Sequence, residues 1–156
     1  MNIINTFAVI ITSSIAVFTF LKALMEYVKQ GKLKRAELME KYRVKFSNGK
    51  YFAEITRYIE EDDKRLKKIE RVYRYDYLCF FEEISILLNS GIFRKEIIYY
   101  FFGYYAIKTS ESKNFWFDID VESEYLQEFK RFVDTMRDYE DKVVRNKEIR
   151  MRMLKV

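Results

Sequence analysis

Apolar residues dominate the start of the chain, where Ile3 to Leu21 (IINTFAVIITSSIAVFTFL) is a run of 19 residues without a charge. As a helix rising 1.5 Å per residue, such a run comes close to spanning the ~30 Å hydrocarbon layer of a bilayer. No basic segment precedes it and no clear small-x-small cleavage site follows, so an anchor is the expected reading rather than a cleaved signal peptide. Thr12, Ser13 and Ser14 lie mid-span, suited either to helix association or to back-bonding onto the preceding turn.

Beyond the run the pattern becomes amphipathic. A basic juxtamembrane helix is expected from Lys32 to Arg43, ending at the turn Ser47-Asn48-Gly49. A helix then starts near Lys50 and passes, with or without a break at Asp62-Asp63, into a long one ending at Asn89-Ser90-Gly91. Leu66, Ile69, Tyr73, Tyr77, Phe80, Ile84 and Leu87 recur there every three or four residues, one face of a helix. After Tyr75 the other faces turn apolar too, which predicts the central core element, with Gly91 as its left-handed C-terminal residue.

The next helix is expected over Arg94 to Ile107, with Gly103 permitting a close helix approach, and then a polar connector from Lys108 to Asn114. Phe115-Trp116-Phe117 is expected as an apolar plug. Asp120 or Ser123 caps a last helix whose buried side carries Val121 or Tyr125, Leu126, Phe129, Phe132, Val133 and Met136. The expected fold is all-α, an N-terminal transmembrane helix followed by a small cytosolic helical bundle. Its parts are an anchor (1–25), a basic juxtamembrane helix and turn (26–49), a helical domain (50–141) and a basic C-terminal tail (142–156).

Charge sets the direction. Residues 22–50 carry 9 basic and 3 acidic groups, residues 51–75 carry 7 and 6, residues 76–141 carry 7 and 14, and residues 142–156 carry 6 and 1. Lys22, Lys29, Lys32, Lys34 and Arg35 follow the apolar run and no basic side chain precedes it, so the positive-inside rule predicts the N-terminus out and the domain in the cytoplasm, at the inner (cell) membrane.

Composition narrows the chemistry. Histidine is absent, which removes imidazole metal sites, His-based triads and a His general base. The single cysteine, Cys79, sits in an apolar run and is expected as a buried, inert thiol. Aromatic residues are 18% of the chain, enough to build a core in a domain this small. No catalytic constellation, metal set or cofactor motif is complete.

The strongest candidate is the basic run Lys64, Arg65, Lys67, Lys68, Arg71 and Arg74, in which Lys64, Lys68, Arg71 and Arg74 would form a stripe along one helical face. Phosphates of a nucleotide or lipid suit such a stripe, with rings at Tyr73, Tyr75 and Tyr77 for stacking. The candidate ligand-binding set is Lys64, Lys68, Arg71, Arg74 and Tyr75. Against it, Glu60, Glu61, Asp63 and Glu70 stand four residues before Lys64, Arg65, Lys67 and Arg74, so a self-paired solvated face is equally natural. Glu82 and Glu83 point about 100° apart on a helix and are expected in structural ion pairs, with Arg131 or Arg137 as partners. Alternating Asp118, Asp120, Glu122 and Glu124 lack the glycine and spacing of a calcium loop.

The segment Arg71 to Glu83 (RVYRYDYLCFFEE), then Gly91 and Phe102-Gly103-Tyr104-Tyr105, resembles a family of bacterial single-pass membrane proteins. Its pattern is an anchor, an Arg-containing helix, an FFEE segment, a helix-ending glycine and an FGYY segment. The resemblance covers about residues 50 to 138 and implies a helical cytosolic domain without implying an activity. In layout alone the chain is similar to membrane-anchored effectors of type III CRISPR antiviral defence, whose cytosolic part binds cyclic oligoadenylate. That likeness implies a non-enzymatic effector sensing an anionic nucleotide, not duplex nucleic acid. It also implies a homo-oligomer, a tetramer being favoured, because one span cannot enclose a pore. The alternative is a membrane-tethered scaffold that recruits a protein partner and binds no small ligand.

Overall fold

The computed structural model describes residues 3–144, with side chains described from Ile11 to Val143. The chain divides into two units, Met1–Lys41 and Tyr42–Val156. Every described element is helical.

The first unit is helix throughout its described part, within α1 (Ile3–Asn48). Neither glycine nor proline interrupts the run before Gly31, so nothing stops the helix between the apolar run and the basic segment. An 18-residue stretch has a mean hydropathy of 1.4 and none of it is buried. Ile11, Ile15, Phe18, Leu21 and Met25 are all exposed. By length and composition α1 is able to cross a membrane. Thr19 satisfies its hydroxyl inside the helix by donating to the Ile15 carbonyl at 2.8 Å.

The second unit begins with the last turns of α1, and its aromatic content explains its packing. Phe46 lies within 6.2 Å of the ring centroids of Phe52, Tyr77, Phe80, Phe81, Phe102 and Tyr105, so six rings from four segments converge on one. Such offset and edge-on pairs add to the gain from apolar burial. Around them pack α2 (Phe52–Ile59), α3 (Arg71–Asn89), α4 (Lys95–Ile98), α5 (Tyr104–Glu111) and α6 (Gln127–Tyr139). The central element is α3, which buries Tyr77, Leu78, Phe80, Phe81 and Ile84 and packs on α6. The buried side of α6 is Phe129, Phe132, Val133 and Met136, with Leu126 just before it, as the periodicity predicts.

Four departures matter. The segment after α2 is not helical through to α3: Asp62 takes a positive φ of 49°, Lys64–Lys68 is a 3-10 turn, and Ile69 and Glu70 are extended. The expected pairs at four-residue spacing therefore do not form; Arg65 instead reaches back two residues to Asp63, at 2.5 Å. The helix expected over Arg94 to Ile107 runs on through α5 to Glu111, with a π-helical stretch at Tyr99–Gly103. The aromatic plug is only half one, because Phe115 is buried while Phe117 is exposed. Cys79 is exposed, not buried, because it follows Leu78 onto the outer face of α3. The basic tail lies, from residue 145 on, outside the described residues.

Candidate functional site

The predicted stripe does not exist as one helical face, and the reason is Arg74. The break before α3 turns this side chain inward, where it is 1% exposed. Its Nε donates to the Ile69 carbonyl at 3.1 Å, one terminal nitrogen donates to the Phe115 carbonyl, and the other pairs with the Asp118 carboxylate. Three of the five N–H donors of this planar guanidinium go to fixed acceptors and the group is buried, so it is out of reach of a ligand at the surface. Arg74 is thus withdrawn from the candidate binding set; it clamps the turn 115–118 onto the start of α3.

That clamp brings together side chains that are far apart in sequence. Lys67 holds its ammonium 4.7 Å from the centroid of the Phe117 ring, and Phe117 is 62% exposed. At the first residue of α3, Arg71 lies 5.2 Å from the centroid of Tyr75, one turn further on, and donates to its hydroxyl at 3.1 Å. Lys64 and Lys68 are exposed on the same 3-10 turn. Lys64, Lys67, Lys68 and Arg71 have no carboxylate within salt-bridge distance among the described residues, whereas Arg65 is matched by Asp63 and Arg74 by Asp118. The result is a basic platform running from the 3-10 turn into the start of α3, with four cations that have no carboxylate partner, two cation–ring pairs, Lys67 on Phe117 and Arg71 on Tyr75, and Asp118 next to Phe117 in sequence. The Arg65 hydrogen bonds hold the Asp63 carboxyl down at about 2, so this acid stays ionised and the turn stays capped across the physiological range.

The far side of the 3-10 turn is held by Asp62. Its carboxylate accepts from Ser112 Oγ at 2.5 Å and from the backbone N–H groups of Asn114 and Lys113 at 3.0 and 3.2 Å. The Asn114 side chain donates to the Asp62 carbonyl. Burial pushes the Asp62 carboxyl up, but the Ser112, Asn114 and Lys113 bonds together hold it below the ordinary carboxylate value. Two anchors, Asp62 on residues 112–114 and Arg74 on residues 115–118, thus fix one loop against the basic segment from both ends.

Of the predicted residues, Lys64 and Lys68 are exposed on the 3-10 turn, Arg71 and Tyr75 pair on the first turn of α3, and Arg74 is buried. Tyr73 and Tyr77, also considered as stacking rings, are elsewhere. Tyr77 is buried, and burial drives its phenol far above the ordinary value. Tyr73 stacks on Tyr51 at a centroid distance of 4.0 Å, with Lys50 over both rings at 5.1 and 5.2 Å. These three line a separate cleft of about 310 Å3 together with Lys45, Asp76, Cys79 and Glu83. Both lysines there are engaged, Lys45 by Glu83 at 2.7 Å and Lys50 by the Tyr73 hydroxyl at 3.3 Å. The Cys79 thiol is pushed up by partial burial and then by the Glu82, Asp76 and Glu83 charges, which disfavours the thiolate.

The expected partners of the paired glutamates are corrected in the same way. Glu83 bonds Lys45, while Arg131 faces Glu128 at 3.4 Å and Arg137 faces Glu111 at 3.5 Å. Glu82 keeps one buried oxygen without a hydrogen bond, and burial raises its carboxyl, with Glu128 adding to the rise and the Phe129 N–H opposing it. Lys67 and Phe117 are the platform residues that the sequence did not single out. A stripe drawn at helical spacing passes over Lys67, and Phe117 stands in an apolar triplet that looks like core from either side.

Comparison of the chain with protein-family models, with curated proteins and with solved structures finds no match in any of the three.

Proposed function

We propose that this protein is a non-enzymatic, membrane-anchored receptor: a helical bundle on a single span that binds a phosphate-bearing anion through Lys64, Lys67, Lys68 and Arg71. The observation that carries this reading is the set of four exposed cations without a carboxylate partner among the described residues, on a turn held in place by two anchors, the buried Arg74 and the half-buried Asp62. A self-paired surface would be neutral. This one has spent Asp63 on Arg65 and Asp118 on Arg74, and no carboxylate reaches the remaining four cations among the described residues. Pre-organisation matters because an anion that binds to a fixed array does not have to order it first.

The span supplies location and, if the protein acts on the bilayer, requires several copies, since one helix encloses no channel. A role in antiviral defence and a cyclic oligonucleotide as the ligand are the specific form of this proposal that the layout suggests. A membrane-tethered scaffold remains the second reading, favoured by Tyr100 and Tyr125, rings that are 79% and 91% exposed and lie away from the basic turn in sequence.

The test is calorimetric titration of the full chain, in nanodiscs of neutral phosphatidylcholine, with inorganic tripolyphosphate. Binding that weakens as salt rises, and that falls at least ten-fold in Lys64→Glu/Lys68→Glu, supports the receptor. A double variant that binds as well as the parent removes the platform from consideration.

A further inference from the structure

We infer that the ligand of this platform is a nucleotide, held by its base as well as its phosphates. This inference rests on the reading of the platform as an anion site and names the ligand class. Three features of the surface separate a nucleotide from a bare polyphosphate or a lipid headgroup. First, the Phe117 ring is 62% exposed next to a cation that covers it at 4.7 Å, an arrangement that leaves apolar ring surface facing solvent. A phosphate gains nothing from such a ring, whereas a base stacks on it. Second, Arg71 is spread beside Tyr75, so a second flat surface lies on the same patch with a guanidinium able to meet phosphate oxygens in a fork.

Third, Asp118 sits among the cations. One of its oxygens is held by Arg74, and the carboxylate is still 45% exposed, which leaves the other oxygen open to a donor. A carboxylate inside a site for pure polyphosphate weakens it by like-charge repulsion. In a site for a nucleotide it accepts from a ribose hydroxyl or an exocyclic amine. Glu70 and Asp63 are the other acids nearby, and Asp63 is already matched by Arg65. In this arrangement the phosphates meet Lys64, Lys68 and Arg71, the base lies on Phe117 beside Lys67, and a sugar or base donor meets Asp118, with Tyr75 backing Arg71.

Adenosine triphosphate and inorganic tripolyphosphate share a chain of three phosphates, and the ester has one ionisable oxygen fewer, so tighter binding of the nucleotide comes from its nucleoside and not from its charge. With the full chain in neutral nanodiscs, the nucleotide should bind roughly ten-fold more tightly than tripolyphosphate at equal salt. Phe117→Leu should erase that advantage, lowering nucleotide affinity several-fold more than tripolyphosphate affinity. Tyr125→Leu, which removes an exposed ring outside the patch, should alter neither. A five-nucleotide single strand binding more tightly than the mononucleotide would identify a strand as the source of the base, and weaker binding a free nucleotide. Equal affinity for the nucleotide and tripolyphosphate in the parent, or an equal loss of both in Phe117→Leu, overturns the base contact while leaving the anion site standing. Failure of both ligands to bind overturns both readings.

Discussion

Arg74 shows how one buried charge organises a surface. Its guanidinium satisfies the Ile69 and Phe115 carbonyls and the Asp118 carboxylate at once, and each of these would be left without a partner if the side chain were cut back. Arg74→Met, which keeps the bulk, should destabilise the domain by roughly 2–4 kcal/mol; the range lies below that for a fully buried pair because Asp118 is partly in water. The same variant should weaken tripolyphosphate binding although Arg74 touches no ligand. Urea denaturation followed by far-UV circular dichroism checks the first effect, and titration of the folded variant checks the second. Asp62 makes the complementary case through pH. Its folded value is depressed, so its contribution is complete above the ordinary carboxylate range near pH ~4 and is lost as pH falls through the lower folded value. Asp62→Asn tolerates the positive φ but gives up the charge. The stability gap between parent and variant should therefore be wide at pH 7 and narrow at pH 3; a gap that does not change with pH would show that the charge is irrelevant to the latch.

Among elements, the periodic ones were legible and the interrupted ones were not. The faces of α3 and α6 follow from spacing, because burial selects apolar residues every three or four positions wherever a helix meets a core. Gly91 ends α3 with a φ of +72°, as its place after the last apolar residue predicts. A break at Asp62-Asp63 was one of the two readings open in the sequence, but its extent to Glu70 was hidden, since LKKIERVYRY keeps a helical rhythm straight through it. What decides the local conformation there is a pair of tertiary anchors whose partners lie 41 to 52 residues away in sequence, and local propensity carries no trace of them. The binding surface was readable as charge but not as geometry for the same reason. Close packing at the π-helical stretch is testable directly. A Cβ on Gly103 would lie 2.8 Å from a Tyr99 ring carbon and 2.9 Å from the Met136 sulfur. Gly103→Ala should cost about 1–3 kcal/mol in spite of its better helix propensity, read as a lower urea midpoint. Gly91→Ala, with open space around it but a left-handed backbone, should cost only about 1 kcal/mol.

For the whole molecule, the exposed apolar helix and the basic turn imply different surroundings for the two ends of the chain. A helix whose Ile11, Ile15, Phe18 and Met25 all face outward is stable in lipid and a liability in water. The full chain should stay in the membrane pellet after washing at alkaline pH, and a variant with Ile11, Ile15 and Phe18 changed to Asp should be released. The receptor itself is tested most directly by locating where an anion binds without changing any residue. Hydrogen exchange of the full chain in neutral nanodiscs, with and without tripolyphosphate, should show slower exchange confined to residues 63–76 and 112–119. Protection centred instead on residues 45–52 and 76–83 would place the ligand in the Tyr51–Tyr73 cleft, and no protection at all would contradict the assignment of this turn as a binding site.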